Sequence, residues 1–436
     1  MKKLLPLFVS AALGTLSSAV WAENLAEIYN QAKENDPQLL SVAAQRDAAF
    51  EAVTSSRSAL LPQINLTAGY NINRSDQDLR ESDLLSAGIN FSQELYQRSS
   101  WVSLDTAEKK ARQADSQYAA TQQGLILRVA KAYFEVLRAQ DNLEFVRAEK
   151  AAVGRQLEQT KQRFEVGLSA ITDVHDAQAQ FDGVLADEVL AENSLTNSYE
   201  ALREITGQEY SKLAVLDTKR FAASRTTESS EALIEKAQQQ NLSLLAARIS
   251  QDVARDNISL ASSGHLPSLT LDGGYNYADN RNSNASSSSD YNDFKIGVNL
   301  KVPLYTGGNT TSLTKQAEFA YVAASQDLEA AYRSVVKDVR AYNNNINASI
   351  GALRAYEQAV ISAKSALEAT EAGFDVGTRT IVDVLDATRR LYDANKNLSN
   401  ARYDYILSVL QLRQALGTLS EQDVMDVNAG LKVAKK

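Results

Sequence analysis

Residues 373–388 read Gly-Phe-Asp-Val-Gly-Thr-Arg-Thr-Ile-Val-Asp-Val-Leu-Asp-Ala-Thr, and 210 positions earlier residues 163–178 read Arg-Phe-Glu-Val-Gly-Leu-Ser-Ala-Ile-Thr-Asp-Val-His-Asp-Ala-Gln. Phe, Val, Gly, Ile, Asp, Val, Asp and Ala match between the copies. A glycine, Gly377 or Gly167, separates two long helix-forming runs, and two acids follow: Asp383 and Asp386 in one copy, Asp173 and Asp176 in the other. Three-residue spacing sets both carboxylates on one helix face. Each copy therefore reads as the tip of a helical hairpin that points a pair of negative charges in one direction.

The runs that meet at these tips are unusually long. Residues 99–164 contain no proline, two glycines (Gly124 and Gly154) and a high density of Ala, Gln, Glu, Lys and Leu. At 1.5 Å per residue such a helix spans about 100 Å, a length that belongs to coiled coils and helical arrays. A second helix is expected over 170–205, stopped by Gly207. Ahead of the first tip, residues 24–56 carry apolar positions at helical spacing, with Pro37 where a helix can start.

After Leu61-Pro62 the period changes to two. Ile64, Leu66, Ala68, Tyr70 and Ile72 alternate with polar or small residues, and Leu85, Ala87, Ile89 and Phe91 do the same beyond a polar turn. Strands over 63–73 and 84–93, paired as a hairpin, follow. The whole order then recurs. Residues 237–245 replay 32–40, Leu266-Pro267 replays Leu61-Pro62, and strands are expected over 268–277 and 294–303 around a polar loop. A second long helix runs over 312–372, and Leu416-Gly417 repeats the stop at Thr206-Gly207.

The expected organisation is a leader at 1–22, a first repeat at 23–229 with its tip near 165–173, a second at 230–427 with its tip near 375–383, and a tail at 428–436. The leader is inferred from Lys2 and Lys3, an apolar run to Leu16 and a small residue, Ala22, at the cut. Its removal takes away two lysines and no acid, leaving the mature chain more acidic than the formal −9 of the full sequence. That charge argues against binding nucleic acid. With no cysteine there is no disulfide and no thiolate metal site. No later stretch reaches the roughly 20 apolar residues of a membrane-spanning helix. A membrane crossing would have to use the strands, and four cannot close a barrel when about eight are needed; several copies would have to share one.

The duplicated tips, the paired Leu-Pro strand starts at 61–62 and 266–267, and the two helix stops at Gly207 and Gly417 resemble the outer membrane efflux protein family, the channel-tunnels of Gram-negative export systems. The resemblance covers 23 to about 427. It implies a mixed α and β membrane protein whose chain holds two repeats of helix, strand pair and long helical hairpin. Three chains would form a 12-stranded β-barrel in the outer membrane, continued by a 12-helix α-barrel in the periplasm. It further implies a passive exit duct for drug efflux and type I protein secretion, with no cofactor. Its partners would be a periplasmic adaptor, an inner-membrane pump or ABC transporter, and outer-membrane lipid. Asp383 and Asp386 would line the periplasmic constriction. Arg379 would latch it by bonds to Thr172 and Asp173, and Gln156 would pair with Glu371. The family has a tyrosine where this chain has Phe374, so one latch contact lacks its hydroxyl. Val166, Gly167, Leu168, Val376, Gly377 and Thr378 would be the adaptor-docking tips.

Blander readings account for parts of the pattern. Thr380 with Asp383 is a helix-capping box, the strands fit half-buried soluble sheets, and Arg379 fits a solvated surface charge. A soluble periplasmic coiled-coil scaffold explains the hairpins but not four amphipathic strands. An enzyme needs a nucleophile or acid–base pair in a pocket, and the sequence has no GxSxG, HExxH or phosphate-loop motif. His175, between Asp173 and Asp176, does not make a closed metal-ligand set, and His265 lies in another element.

Overall fold

A computed structural model of the chain describes residues 23–74, 82–281 and 289–432. The expected leader lies outside the described residues, as do 75–81, 282–288 and 433–436. The first half runs α1 (Leu25–Asn35), α2 (Pro37–Ser58), β1 (Gln63–Asn73), β2 (Ser82–Gln97), α3 (Arg98–Glu165), α4 (Ile171–Thr206) and a two-residue strand β3 (Val215–Leu216). The second half runs α5 (Ser230–Gln240), α6 (Leu242–Ser262), a 3-10 turn (Ser263–His265), β4 (Ser268–Arg281), β5 (Ser289–Lys301), α7 (Asn309–Asp375), α8 (Ile381–Leu416), α9 (Glu421–Ala429) and β6 (Leu431–Lys432). The order of helix pair, strand pair, long helix and returning helix thus occurs twice.

The sheet order is β1-β2-β4-β5, antiparallel throughout. Its register aligns the apolar sets: Leu66 faces Ile89, Ile89 faces Tyr275, and Tyr275 faces Phe294. Because side chains alternate between faces, Ile64, Leu66, Tyr70, Ile296, Val298 and Leu300 share one face, and all are exposed, Leu66 at 77%. The opposite face is polar. There Asp272 accepts bonds from Ser92 (2.5 Å), Thr270 (2.7 Å) and Asn299 (2.7 Å). Among the described residues no helix is long and apolar enough to cross a membrane.

Helices extend the same order away from the sheet, with α2 on α3, α3 on α6 and α6 on α7. Beyond the middle of the molecule the partners change, and α3 packs on α4 and α8 while α7 packs on α8. The core sits at this changeover. On α3 the buried stripe widens to Leu125, Ile126, Val129, Ala130, Tyr133, Phe134 and Leu137, the i, i+4, i+8 pattern of a helix buried over a broad face. Leu25, Ile28 and Ala32 of α1, Leu233 of α5 and Leu398 to Leu416 of α8 close over it. Tyr133 donates its hydroxyl to the Ala214 carbonyl at 2.5 Å, and burial raises that hydroxyl's pKa above the usual tyrosine range.

Asp36 explains why the first helical segment breaks. It is buried, caps α2 through Leu39 N–H (2.8 Å) and takes both arms of Arg128 at 3.1 and 2.7 Å. Losing Arg128 leaves that carboxylate buried and unpaired, so Arg128→Met is expected to cost about 3 kcal/mol. Adding Asp36→Asn should recover part of the loss, and chemical denaturation of the single and double variants measures both.

Several boundaries differ from the sequence reading. β2 runs on to Gln97 instead of ending at 93, while β5 stops at Lys301 instead of 303. Residues 278–281 and 289–292, read as loop from their Ser, Asn and Asp content, are strand, because Ala278, Asp279 and Asn280 pair with Tyr291, Asp290 and Ser289. The expected tail is partly held: Leu431 and Lys432 pair with Leu216 and Val215, residues for which no strand was expected. Helix α9 begins with a capping box, Ser420 with Asp423, and Asp423 also pairs with Arg413.

Candidate functional site

Each tip ends its helix by the same device. Gly167 and Gly377 have φ of 78° and 80°, the left-handed region where glycine avoids a Cβ clash. Leu168 N–H reaches back to the Arg163 carbonyl (2.8 Å) and Gly167 N–H to Phe164 (3.0 Å); Thr378 and Gly377 repeat this with Gly373 and Phe374 at the same distances. The turn throws its apolar residues outward, leaving Val166, Leu168 and Val376 at 70%, 72% and 75% exposure.

Past the second turn, Thr380 caps α8 in the box that the sequence implied. Its N–H and hydroxyl both donate to Asp383 Oδ2 at 2.9 Å, and its Oγ1 accepts from Asp383 N–H at 3.3 Å. These bonds, the backbone one first, hold the Asp383 carboxyl below the usual carboxylate range. Both contacts use Oδ2, so Oδ1 stays open. Asp386 lies exposed on the same side, while Ile381, Val384, Leu385 and Thr388 turn inward. Capping and an outward-facing charge therefore coexist on Asp383.

The first tip is similar but not equal. Asp173 takes Ser169 Oγ (2.7 Å) and Ala170 N–H (3.1 Å) on one oxygen, because Ala170 stands where the second copy has Thr380. Thr172, His175 and Asp176 are exposed. Among the described residues no group of three or more His, Cys, Asp or Glu side chains is placed to hold a metal ion.

The expected latch pairs are not joined within one chain. Asp173 is satisfied by its own turn, and no bond joins Arg379 to Thr172 or Asp173, or Gln156 to Glu371, among the described residues. Arg379 is exposed, its stem folded across Gly373, where an added Cβ would lie 2.8 Å from Arg379 Cγ. Arg163, which the sequence reading passed over, does bridge the hairpins. Its guanidinium carbon sits 4.6 Å from the centre of the Phe374 ring, and a terminal nitrogen lies 4.0 Å from Asp375. The only sequence signal was its place at the start of the duplicated motif, opposite Gly373.

The model for outer membrane efflux protein matches residues 28–208 and again 233–418, once over each repeat. The chain belongs to the outer membrane efflux protein family. Membership of this family places it in the outer membrane. It is 97% identical to outer membrane protein TolC of Vibrio cholerae serotype O1 over 438 residues, 100% of each chain. It is 30% identical to the alkaline protease secretion protein AprF of Pseudomonas aeruginosa, over 97% of this chain and 90% of that one. A crystal structure of CusC shares the fold, with a TM-score of 0.79 over 95% of this chain and 99% of CusC at 17% identity. For a member of this family, an acid pair at a hairpin tip and a one-sided apolar sheet at the opposite end are the two features that need a function.

Proposed function

We propose that three copies of this chain form a passive outer-membrane exit duct for efflux and type I secretion, closed at rest by the hairpin tips. The observation that carries this is the sheet: four strands, one face apolar and exposed, the other polar, with β1 and β5 each paired on one side only. Unpaired strand edges cannot be left in lipid. Joining β5 of one copy to β1 of the next satisfies every edge, and three copies reach twelve strands. The apolar face then meets lipid and the polar face lines the lumen. Helices α2 and α7 are the corresponding open edges of the helical layer, so the same operation closes twelve helices into a tunnel.

At the far end, Asp383 and Asp386 from three copies would form a ring of six carboxylates around the axis. Since Arg379 has no partner on the first tip of its own chain, a latch through Thr172 and Asp173 would be made between neighbouring copies, as would any link from Gln156 to Glu371. The exposed tips at Val166-Gly167-Leu168 and Val376-Gly377-Thr378 offer an apolar landing site to a periplasmic adaptor. Energy would come from an inner-membrane pump or ABC transporter, since this chain is a duct and not an enzyme. Single-channel recording tests the latch: Arg379→Ser is expected to raise the resting conductance in planar bilayers, and a value equal to wild type removes Arg379 from it.

A further inference from the structure

The two hairpins of one chain are joined at two levels and held only loosely between them. At the core, α8 contributes large buried side chains from Leu398 to Leu416. Near the tips, Ile381 and Leu385 of α8 pack with Val153 and Leu157 of α3 and with Ala177 and Val184 of α4, in a cluster that shares no residue with the core. Between Leu385 and Leu398 α8 buries only small side chains: Ala387, Thr388 and Ala394. A cavity of about 450 Å³ opens there, edged by Glu149, Asp187, Arg389, Tyr392, Asp393 and Lys396. A helix anchored this way can release its outer contact without loosening the core, since local opening costs only the contacts actually broken.

Further toward the tip a separate contact joins Arg163 of α3 to the last turn of α7, the helix that leads into α8. The Arg163 guanidinium carbon lies over the ring of Phe374, which also packs on the tip cluster, and the side chain reaches toward Asp375. We infer that Arg163 and Phe374 form a clasp inside each chain that holds the second hairpin against the first in the closed duct, and that the cavity behind it leaves α8 free to part. This inference rests on the reading that the tips close the duct. It also gives Phe374 a role that needs no hydroxyl, because the ring face takes the contact. A cation over a partly exposed ring is a modest attraction, and an ion pair at 4.0 Å with an exposed Asp375 adds little. A contact of that strength suits a gate that must hold at rest and yield to a docking partner.

Arg163→Gln, Phe374→Leu and the double variant are to be compared with wild type by single-channel recording of the purified protein in planar bilayers. Arg333→Gln, on an exposed stretch of α7, serves as the control. Each single variant is expected to raise the resting conductance several-fold. The double variant should rise no further than the larger single, because both break the same contact. Conductance of Arg163→Gln equal to wild type, or independent additive effects in the double variant, overturns the clasp. A wild-type protein that forms no pore overturns the duct reading instead, so the two failures are distinct. Should Phe374→Leu fail to assemble, Arg163→Gln, which keeps a polar side chain at a half-buried position, decides alone.

Discussion

Replacing Asp383 and Asp386 together by alanine is expected to weaken block by multivalent cations severely and to collapse the cation selectivity of the channel. The proposed ring of six carboxylates would concentrate cations, since fields of one sign in a confined cleft raise local counter-ion levels by about 10- to 1000-fold. The double variant should weaken trivalent-cation block by a similar factor. Crowding of like charges tends to protonate carboxylates. The Thr380 bonds oppose that for Asp383, lowering its pKa from the ordinary value. A lowered carboxylate pKa means the charge, and the capping stability it brings, is full above the ordinary carboxylate range and is lost only as pH falls through the lower folded value. Thr380→Val removes the side-chain bond, so its block should fade at a higher pH than that of wild type. Block and selectivity unchanged in the double alanine variant would place the constriction elsewhere.

The largest structural effect is expected at Gly417, and Gly207 is its internal control. Both follow the returning helix of their repeat, with φ of 77° and 70°. An alanine at Gly207 meets nothing within 4 Å, so it should cost only the left-handed strain, about 1 kcal/mol. A Cβ at Gly417 would run into the backbone of Gln240 and Asn241, where α5 gives way to α6. That junction is a stitch point: Asn241 caps α6 at Leu244 and also donates to the Ala415 carbonyl (2.8 Å), and Gln123 of α3 donates to the carbonyls of Gly417 and Leu419 (3.0 Å each). Backbone cannot swing aside as a side chain can, so Gly417→Ala is expected to cost more than about 4 kcal/mol, the range of severe lesions. Heat-resistant oligomer on unboiled gels should be near normal for Gly207→Ala and absent for Gly417→Ala. Equal behaviour would mean that the close approach is not what fixes Gly417.

The parts of this structure legible in the sequence were those written as period or repetition. The tips showed themselves because Phe, Val, Gly, Ile and Asp recur at one offset, and β1 because Ile64 to Ile72 alternate cleanly. The extra residues of β4 and β5 were hidden because they continue the hydrogen-bond ladder beyond the apolar set, where Asp279 and Asp290 take its positions and the alternation stops. The pairing of β3 with β6 joins segments more than 200 residues apart through two residues each, too few for any period. Asp36 looked like an ordinary residue before a proline; its burial depends on Arg128 arriving from α3. Arg163 and Phe374 meet for the same kind of reason, since nothing local to either residue specifies how two hairpins lie against each other. The latch pairs taken from family resemblance are not joined within one chain among the described residues, where Asp173 is held by its own turn.

The account depends most on three copies sharing one barrel, and the mass of the native particle tests that directly. Protein extracted from outer membranes in mild detergent should have a protein mass of three chains by light scattering, corrected for bound detergent, and fall to one chain on heating. A single-chain particle, or a chain recovered in the soluble periplasmic fraction, would contradict it.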